Sequence, residues 1–212
     1  MKGLLRKDLY VLVKYIRSYL LLIVFFWALY IFGNHGFFYF GYPIIMISMM
    51  GLTLTSLDEH SHWDQYCASL PVTRAQMVSG KYTLLGLLML TVTILSGLVS
   101  LLFSHRIGTS FQSTLYLAAF MLGIGLVMPS VSLPLVFKFG TEKARWVSLL
   151  TTALCIVLFF ILSSLFFENL FDDITYQPYL PLEFMLLALP AGLLLYAVSW
   201  ILSVKIYQKR EL

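Results

Sequence analysis

Charged side chains are scarce in this sequence: fourteen Lys and Arg and ten Asp and Glu make up 11% of 212 residues. A water-soluble fold of this size cannot cover a chain that is 60% hydrophobic with so few charges, which excludes a soluble globular domain. Cysteine is nearly absent. Cys67 falls in a polar segment and Cys155 in an apolar one, so the two are not expected to pair and a disulfide framework is excluded. Catalytic signatures are missing as well. The nearest approach to a phosphate-binding loop is Gly80-Lys81-Tyr82, with Ala75 where the first Gly belongs and no hydroxyl for magnesium. Neither H-E-x-x-H nor G-x-S-x-G occurs, so no catalytic residue is expected in this chain. The N-terminus makes a poor cleavable signal, because its charged region is long and no A-x-A-like site follows.

What is present is apolar sequence in blocks. Six stretches hold no Asp, Glu, Lys or Arg: 18–33, 37–57, 82–103, 111–137, 146–167 and 184–204. A helix crosses the hydrocarbon core with about 20 apolar residues. Five stretches reach that directly, and the first does so with Tyr15 and Ile16 included. The mean hydropathy of +0.88 fits this reading. The predicted fold is an all-α integral membrane protein with six transmembrane helices. Ionisable groups at mid-membrane mark enzymes and ion-coupled transporters, and these blocks contain no Asp, Glu, Lys or Arg.

Orientation follows from Lys and Arg. With the N-terminus inside, the inner segments hold thirteen of them and the outer segments hold only Arg106. The expected location is a bacterial cytoplasmic membrane with both termini cytoplasmic. The net charge of +4 is then topological, and no nucleic-acid partner is expected.

Residues 1–17 are amphipathic, with Leu5, Leu9, Leu12 and Ile16 at helical spacing among Lys and Arg. The pattern predicts an elbow helix in the inner headgroup layer of the bilayer, ahead of a transmembrane domain over 18–212. No Gly or Pro marks a break, so a plain extension of the first span is the competing reading. Gly33-Asn34-His35-Gly36 predicts a tight outer turn. The longest outer loop is 168–183. The inner loops are 58–81, the largest polar segment, and 138–145, which is short.

Loop 58–81 carries two capping-box patterns, Ser56-Leu57-Asp58-Glu59 and Thr73-Arg74-Ala75-Gln76, separated by Leu70-Pro71. It reads as helix, break, helix. On the first helix Glu59, Trp63, Tyr66, Cys67 and Leu70 share one face. That aromatic ridge has two readings. It anchors in the interfacial aromatic belt, or it plugs into a groove on another protein.

The run Glu59…Trp63-x-x-Tyr66-x-x-Ser69-Leu70-Pro71-Val72-Thr73-Arg74…Val78…Lys81-Tyr82 resembles the signature loop of small bacterial ABC-2-type exporter permeases. It is most similar to the group that exports amphipathic peptide toxins. The resemblance covers nearly the whole chain: basic elbow, six spans, large first inner loop, small second one. It implies that 58–70 is a coupling helix on a cytoplasmic ABC ATPase subunit, which would hold ATP and magnesium; this chain needs no cofactor of its own. Glu59, His60, Trp63, Tyr66, Leu70, Pro71, Thr73 and Arg74 are the implied contacts, with 138–145 a second, smaller one. The expected function is the permease subunit of an ATP-driven exporter for a hydrophobic or amphipathic cargo such as a peptide. It would work beside a second copy or a paralogue. The alternative is a non-transporting immunity or sensing subunit, which shares the composition and differs in lacking ATPase coupling.

Two further patterns are weighed. His60, His62, Asp64 and Cys67 invite a metal, but on a helix His62 points away from the other three; no metal site is expected. Gly123, Gly125, Pro129 and Pro134 in the fourth span and Pro190 in the sixth are candidate gating kinks, with ordinary packing as the competing reading. Ser96 and Ser100 form a small-xxx-small pair that lets helices approach. Met46, Met49 and Met50 are a candidate adaptable lining.

Overall fold

A computed structural model of the chain describes residues 2–33, 37–61, 63–68, 72–147, 149–150 and 182–209. Every regular element among them is helical: α1 (Lys2–Phe32), α2 (Phe37–His60), α3 (Trp63–Ala68), α4 (Arg74–Leu102), α5 (Ser104–Ile107), α6 (Phe111–Phe139) and α7 (Leu182–Gln208). Residues 141–147 are also helical. The expected fifth span (146–167, nearly all of it), residues 168–181 of the outer loop and the turn 34–36 lie outside the described residues, as do Leu70 and Pro71; residues 182 and 183, expected in that loop, open α7.

Four helices are long and apolar enough to cross a membrane: Tyr39–His60, Arg74–Leu102, Phe111–Phe139 and Leu187–Gln208. A fifth crossing is α1, if its two arms count as one. Those arms, Gly3–Val13 and Arg17–Phe32, meet at 68°. The described residues therefore supply four to five of the six expected spans. The bend falls where the basic, amphipathic sequence gives way to the uncharged block, with no Gly or Pro to cause it. Leu12 is buried and Leu5 packs against the core, whereas Leu9 is 46% exposed; the side chain of Ile16 is outside the described set.

α2, α4 and α6 form the centre. α1 packs on α2 and α4, while α7 packs on α6 and α4. Their shared core includes Leu12, Ile44, Met50, Leu54, Leu85, Met89 and Leu133. In a bilayer such burial removes little water, so close packing and interhelical hydrogen bonds hold the helices together. α6 and α7 meet backbone to backbone. A Cβ on Gly123 would strike the Ala188 carbonyl and lie 2.8 Å from Leu189 N, and one on Gly192 would lie 2.5 Å from Gly123 O.

Several expectations change here. Ser56–Glu59 is no helix start, because α2 runs through it to His60. Charge pairing of Asp58 to neighbouring helices, described below, accounts for the extra turn. Pro129 and Pro134 lie inside α6, which is one helix from Phe111 to Phe139, and α7 likewise runs through Pro190. Pro43 sits inside α2 on the same terms. Ser96 and Ser100 are buried and also act as hydrogen-bond partners. Trp27 donates its indole N–H to Ser96 (3.0 Å), and Ser100 meets the Tyr30 hydroxyl (3.2 Å) and Thr114 (3.2 Å). The three methionines divide, Met50 being fully buried and Met49 42% exposed.

One proline is compensated visibly. Pro134 has no N–H, so the Ser130 carbonyl four residues earlier has no helical donor. Ser199 of α7 supplies one, donating to that carbonyl at 2.6 Å. The Ser199 hydroxyl also meets Tyr82 of α4 at 2.7 Å, and Tyr82 meets Ser203 at 2.8 Å. One hydroxyl group thus ties α4, α6 and α7 together. Ser199→Ala is expected to cost about 1–2 kcal/mol in thermal unfolding. In a Pro134→Ala background, where the helix supplies its own donor, that cost should fall by about half or more.

Candidate functional site

The ends of α1, α2, α4, α6 and α7 nearest Lys2, His60, Arg74, Phe139 and Gln208 gather on one side of the molecule. Side-chain bridges between them show this. Lys7 of α1 pairs with Asp58 of α2 and also lies 2.9 Å from Asp8. Lys81 of α4 reaches the other Asp58 oxygen at 2.8 Å. Arg74 donates to the Gln208 carbonyl at 3.0 Å, and the rings of Phe137 and Tyr207 meet edge to face at 5.4 Å.

Asp8 and Asp58 are 4% and 5% exposed, so this ion cluster is interior. Burial pushes the Asp8 carboxyl above the ordinary carboxylate range, a shift the adjacent Lys7 opposes and the Asp58 charge reinforces. Two lysines against two carboxylates balance, but Asp58 is the hub that both lysines share.

α3 is a single short turn region of six residues. Thr73 then caps α4 through a complete capping box: its hydroxyl accepts from the Gln76 amide, and the Gln76 side chain accepts from the Thr73 N–H. That part of the sequence pattern folds as read. The ridge does not stay whole. α2 ends at His60, so Glu59 belongs to a different helix from Trp63 and Tyr66. Trp63 turns inward, its ring lying 4.3 Å from the Lys7 ammonium. Cys67 is buried, and Tyr66 is left outside at 60% exposure, its ring 5.4 Å from that of Trp63.

Glu59 takes a different role. Its Oε2 accepts from the Thr141 amide at 2.8 Å, capping the start of the helix 141–147. Gly140 makes the join: its φ of 80° and ψ of 170° suit glycine alone, and a Cβ there would sit 3.0 Å from Glu59 Oε1. The end of α2 and the segment after α6 are thereby bonded to each other. His60 ends α2 and is exposed; Arg74 is turned toward the end of α7. Among the expected contacts, Glu59, Trp63, Thr73 and Arg74 brace the helix ends, and Tyr66 is the aromatic residue presented outward.

The ion cluster itself escaped the sequence reading. Asp58 and Lys81 are flanking charges of adjacent spans, and Lys7-Asp8 stands in the amphipathic arm; opposite charges at one end of neighbouring helices were the available signal. Among the described residues, no group of three or more His, Cys, Asp or Glu is placed to hold a metal ion.

Residues 3–208 match the family described as ABC-2 family transporter protein. No curated protein and no solved structure matches the chain. A match over nearly the whole length, on a bundle of apolar spans, is decisive for the family, whose membrane-embedded members work with an ATPase partner. The chain belongs to the ABC-2 family of transporter proteins.

Proposed function

We propose that this chain is the permease subunit of an ATP-driven exporter, with the gathered helix ends as the docking face for a cytoplasmic ATPase. The observation that carries the reading is the bracing of α3. Through Trp63 and Lys7 it bears on the bent arm of α1, and through Lys7 and Asp58 on α2 and α4. Glu59, just before α3, bears on the segment after α6. A push on Tyr66 therefore has a packed route into four helices. The bent arm of α1 serves as the interfacial elbow, both termini face the cytoplasm of a bacterial cell, and a second copy or paralogue completes the pathway. The apolar spans suit a hydrophobic or amphipathic cargo, with a short peptide the leading candidate.

Tyr66→Ala should lower export and cargo-stimulated ATP turnover at least about tenfold, as expected for loss of an aromatic anchor worth about 2 kcal/mol or more. Protein level and thermal stability should stay unchanged, since Tyr66 is exposed. Leu102→Ala, at a 79% exposed site at the opposite end of α4, is the control. Full coupling in the Tyr66→Ala protein would overturn the docking assignment.

A further inference from the structure

On the flank where α4 meets α7, an open groove of about 610 Å³ runs along the bundle, within the ~300–1,000 Å³ typical of small-molecule sites. Ser79, Thr83, Leu87 and Leu90 form one wall; Leu193, Ala197 and Trp200 form the other, with Tyr82, Gly86 and Tyr196 at its floor. The lining is overwhelmingly apolar, and its few polar atoms are engaged. Thr83 bonds its own helix carbonyls at 2.9 and 3.0 Å, the Tyr196 hydroxyl donates to the Tyr82 carbonyl at 2.7 Å, and Trp200 donates to Ser79 at 3.0 Å. Nothing in the groove therefore asks for a polar ligand.

Its position and length are those of one bilayer leaflet. From Ser79 to Leu90 is roughly 16 Å of helix, against about 15 Å for half of a ~30 Å hydrocarbon core. The groove begins beside the basic helix ends and stops near mid-membrane. Its walls are also the least enclosed of the four spans: within an apolar 18-residue stretch of each, 39% is buried in α4 and 17% in α7, against 56% in α2 and 61% in α6.

Charge lies at the mouth. Arg74, at the start of α4, reaches across to the Gln208 carbonyl at the end of α7, so a guanidinium spans the same two helices beyond Ser79 and Trp200. The indole of Trp200, hydrogen-bonded at the groove's polar end, sits where amphipathic rings settle at the headgroup level.

We propose that this groove is a binding site for a single anionic phospholipid of the leaflet at the basic end. One acyl chain lies between α4 and α7, and the phosphate sits at Arg74. The apolar channel of one-leaflet depth specifies the chain, and the cation across its mouth specifies the charge of the headgroup. The site needs neither cargo nor ATPase, and it stands whether or not the exporter reading does.

The test uses the full chain, reconstituted in vesicles of phosphatidylglycerol and phosphatidylethanolamine, extracted in mild detergent and weighed by native mass spectrometry. One phosphatidylglycerol per chain should remain bound. Ala197→Leu and Thr83→Leu fill the groove from opposite walls at exposed positions, and each should cut retention at least about fivefold while helicity and melting temperature hold. Arg74→Gln should leave a lipid bound but remove most of the preference for phosphatidylglycerol over phosphatidylethanolamine. Retention unaffected by both filling variants would overturn the proposal. So would filling variants that instead convert a dimer mass to a monomer mass, because the groove would then be a seam between copies.

Discussion

Asp58→Asn is expected to destabilise the protein by about 3–5 kcal/mol, the cost of removing one partner from a buried ion pair. Asp58 is 5% exposed and holds Lys7 and Lys81 at once, so its loss leaves Lys81 without its carboxylate and Lys7 with Asp8 alone. Thermal unfolding in detergent should show a large fall in melting temperature, and Lys81→Met should fall by a comparable amount. Asp8→Asn should behave oppositely. Burial raises the Asp8 carboxyl, so its folded pKa lies above its unfolded value and ionisation works against folding. That cost is absent below the unfolded pKa and is fully present above the raised one. At neutral pH Asp8→Asn therefore removes a penalty and should leave stability equal or higher, with a flatter pH profile across the range above about 4. A loss below about 1 kcal/mol for Asp58→Asn would mean the cluster behaves as an exposed surface pair.

Gly123→Ala is expected to lie at the upper end of the ~1–3 kcal/mol cost of overpacking, or beyond it. The added methyl meets the Ala188 carbonyl and the Leu189 nitrogen of α7, which are backbone and cannot swing aside. Relief requires α6 and α7 to separate, which would also stretch the Ser199 bond to the Ser130 carbonyl. Gly125→Ala is the informative comparison. Its Cβ would meet Ile44 Cγ2 at 2.8 Å and Met89 Cε at 2.9 Å, which are side-chain atoms, the Met89 end being the more yielding, where Gly123 faces backbone. That variant should stay near the lower end of the same range. Equal losses at the two glycines, measured by SDS or thermal unfolding, would remove Gly123 as the α6–α7 contact point.

The contrast between these two glycines shows what a sequence conveys about a membrane bundle and what it withholds. Uncharged blocks announced the apolar spans because each block is a local property. The Thr73–Gln76 cap was legible for the same reason: its partners are three residues apart. The Ser56–Glu59 pattern had equal local merit and failed, since Lys7 and Lys81, from helices distant in sequence, hold Asp58 within a longer α2. Glu59 and Trp63 looked like one ridge by spacing alone. The end of α2 at His60 gave one to Thr141 and the other to Lys7. The prolines read as candidate kinks because a missing N–H is visible in the sequence, whereas the serine that supplies the donor opposite Pro134, Ser199, lies on another helix. Charge pairs and hydroxyl bridges between helices depend on register and rotation, which no single helix encodes.

The account rests on the braced helix ends lying on the side of the membrane where an ATPase works, with Tyr66 outward from them. Membrane-impermeant maleimide labelling of Tyr66→Cys, in a Cys67→Ala and Cys155→Ala background, measures this directly. The account predicts labelling in inside-out vesicles, protection when the ATPase subunit is bound, and no labelling from outside intact cells. Labelling from the cell exterior would contradict it.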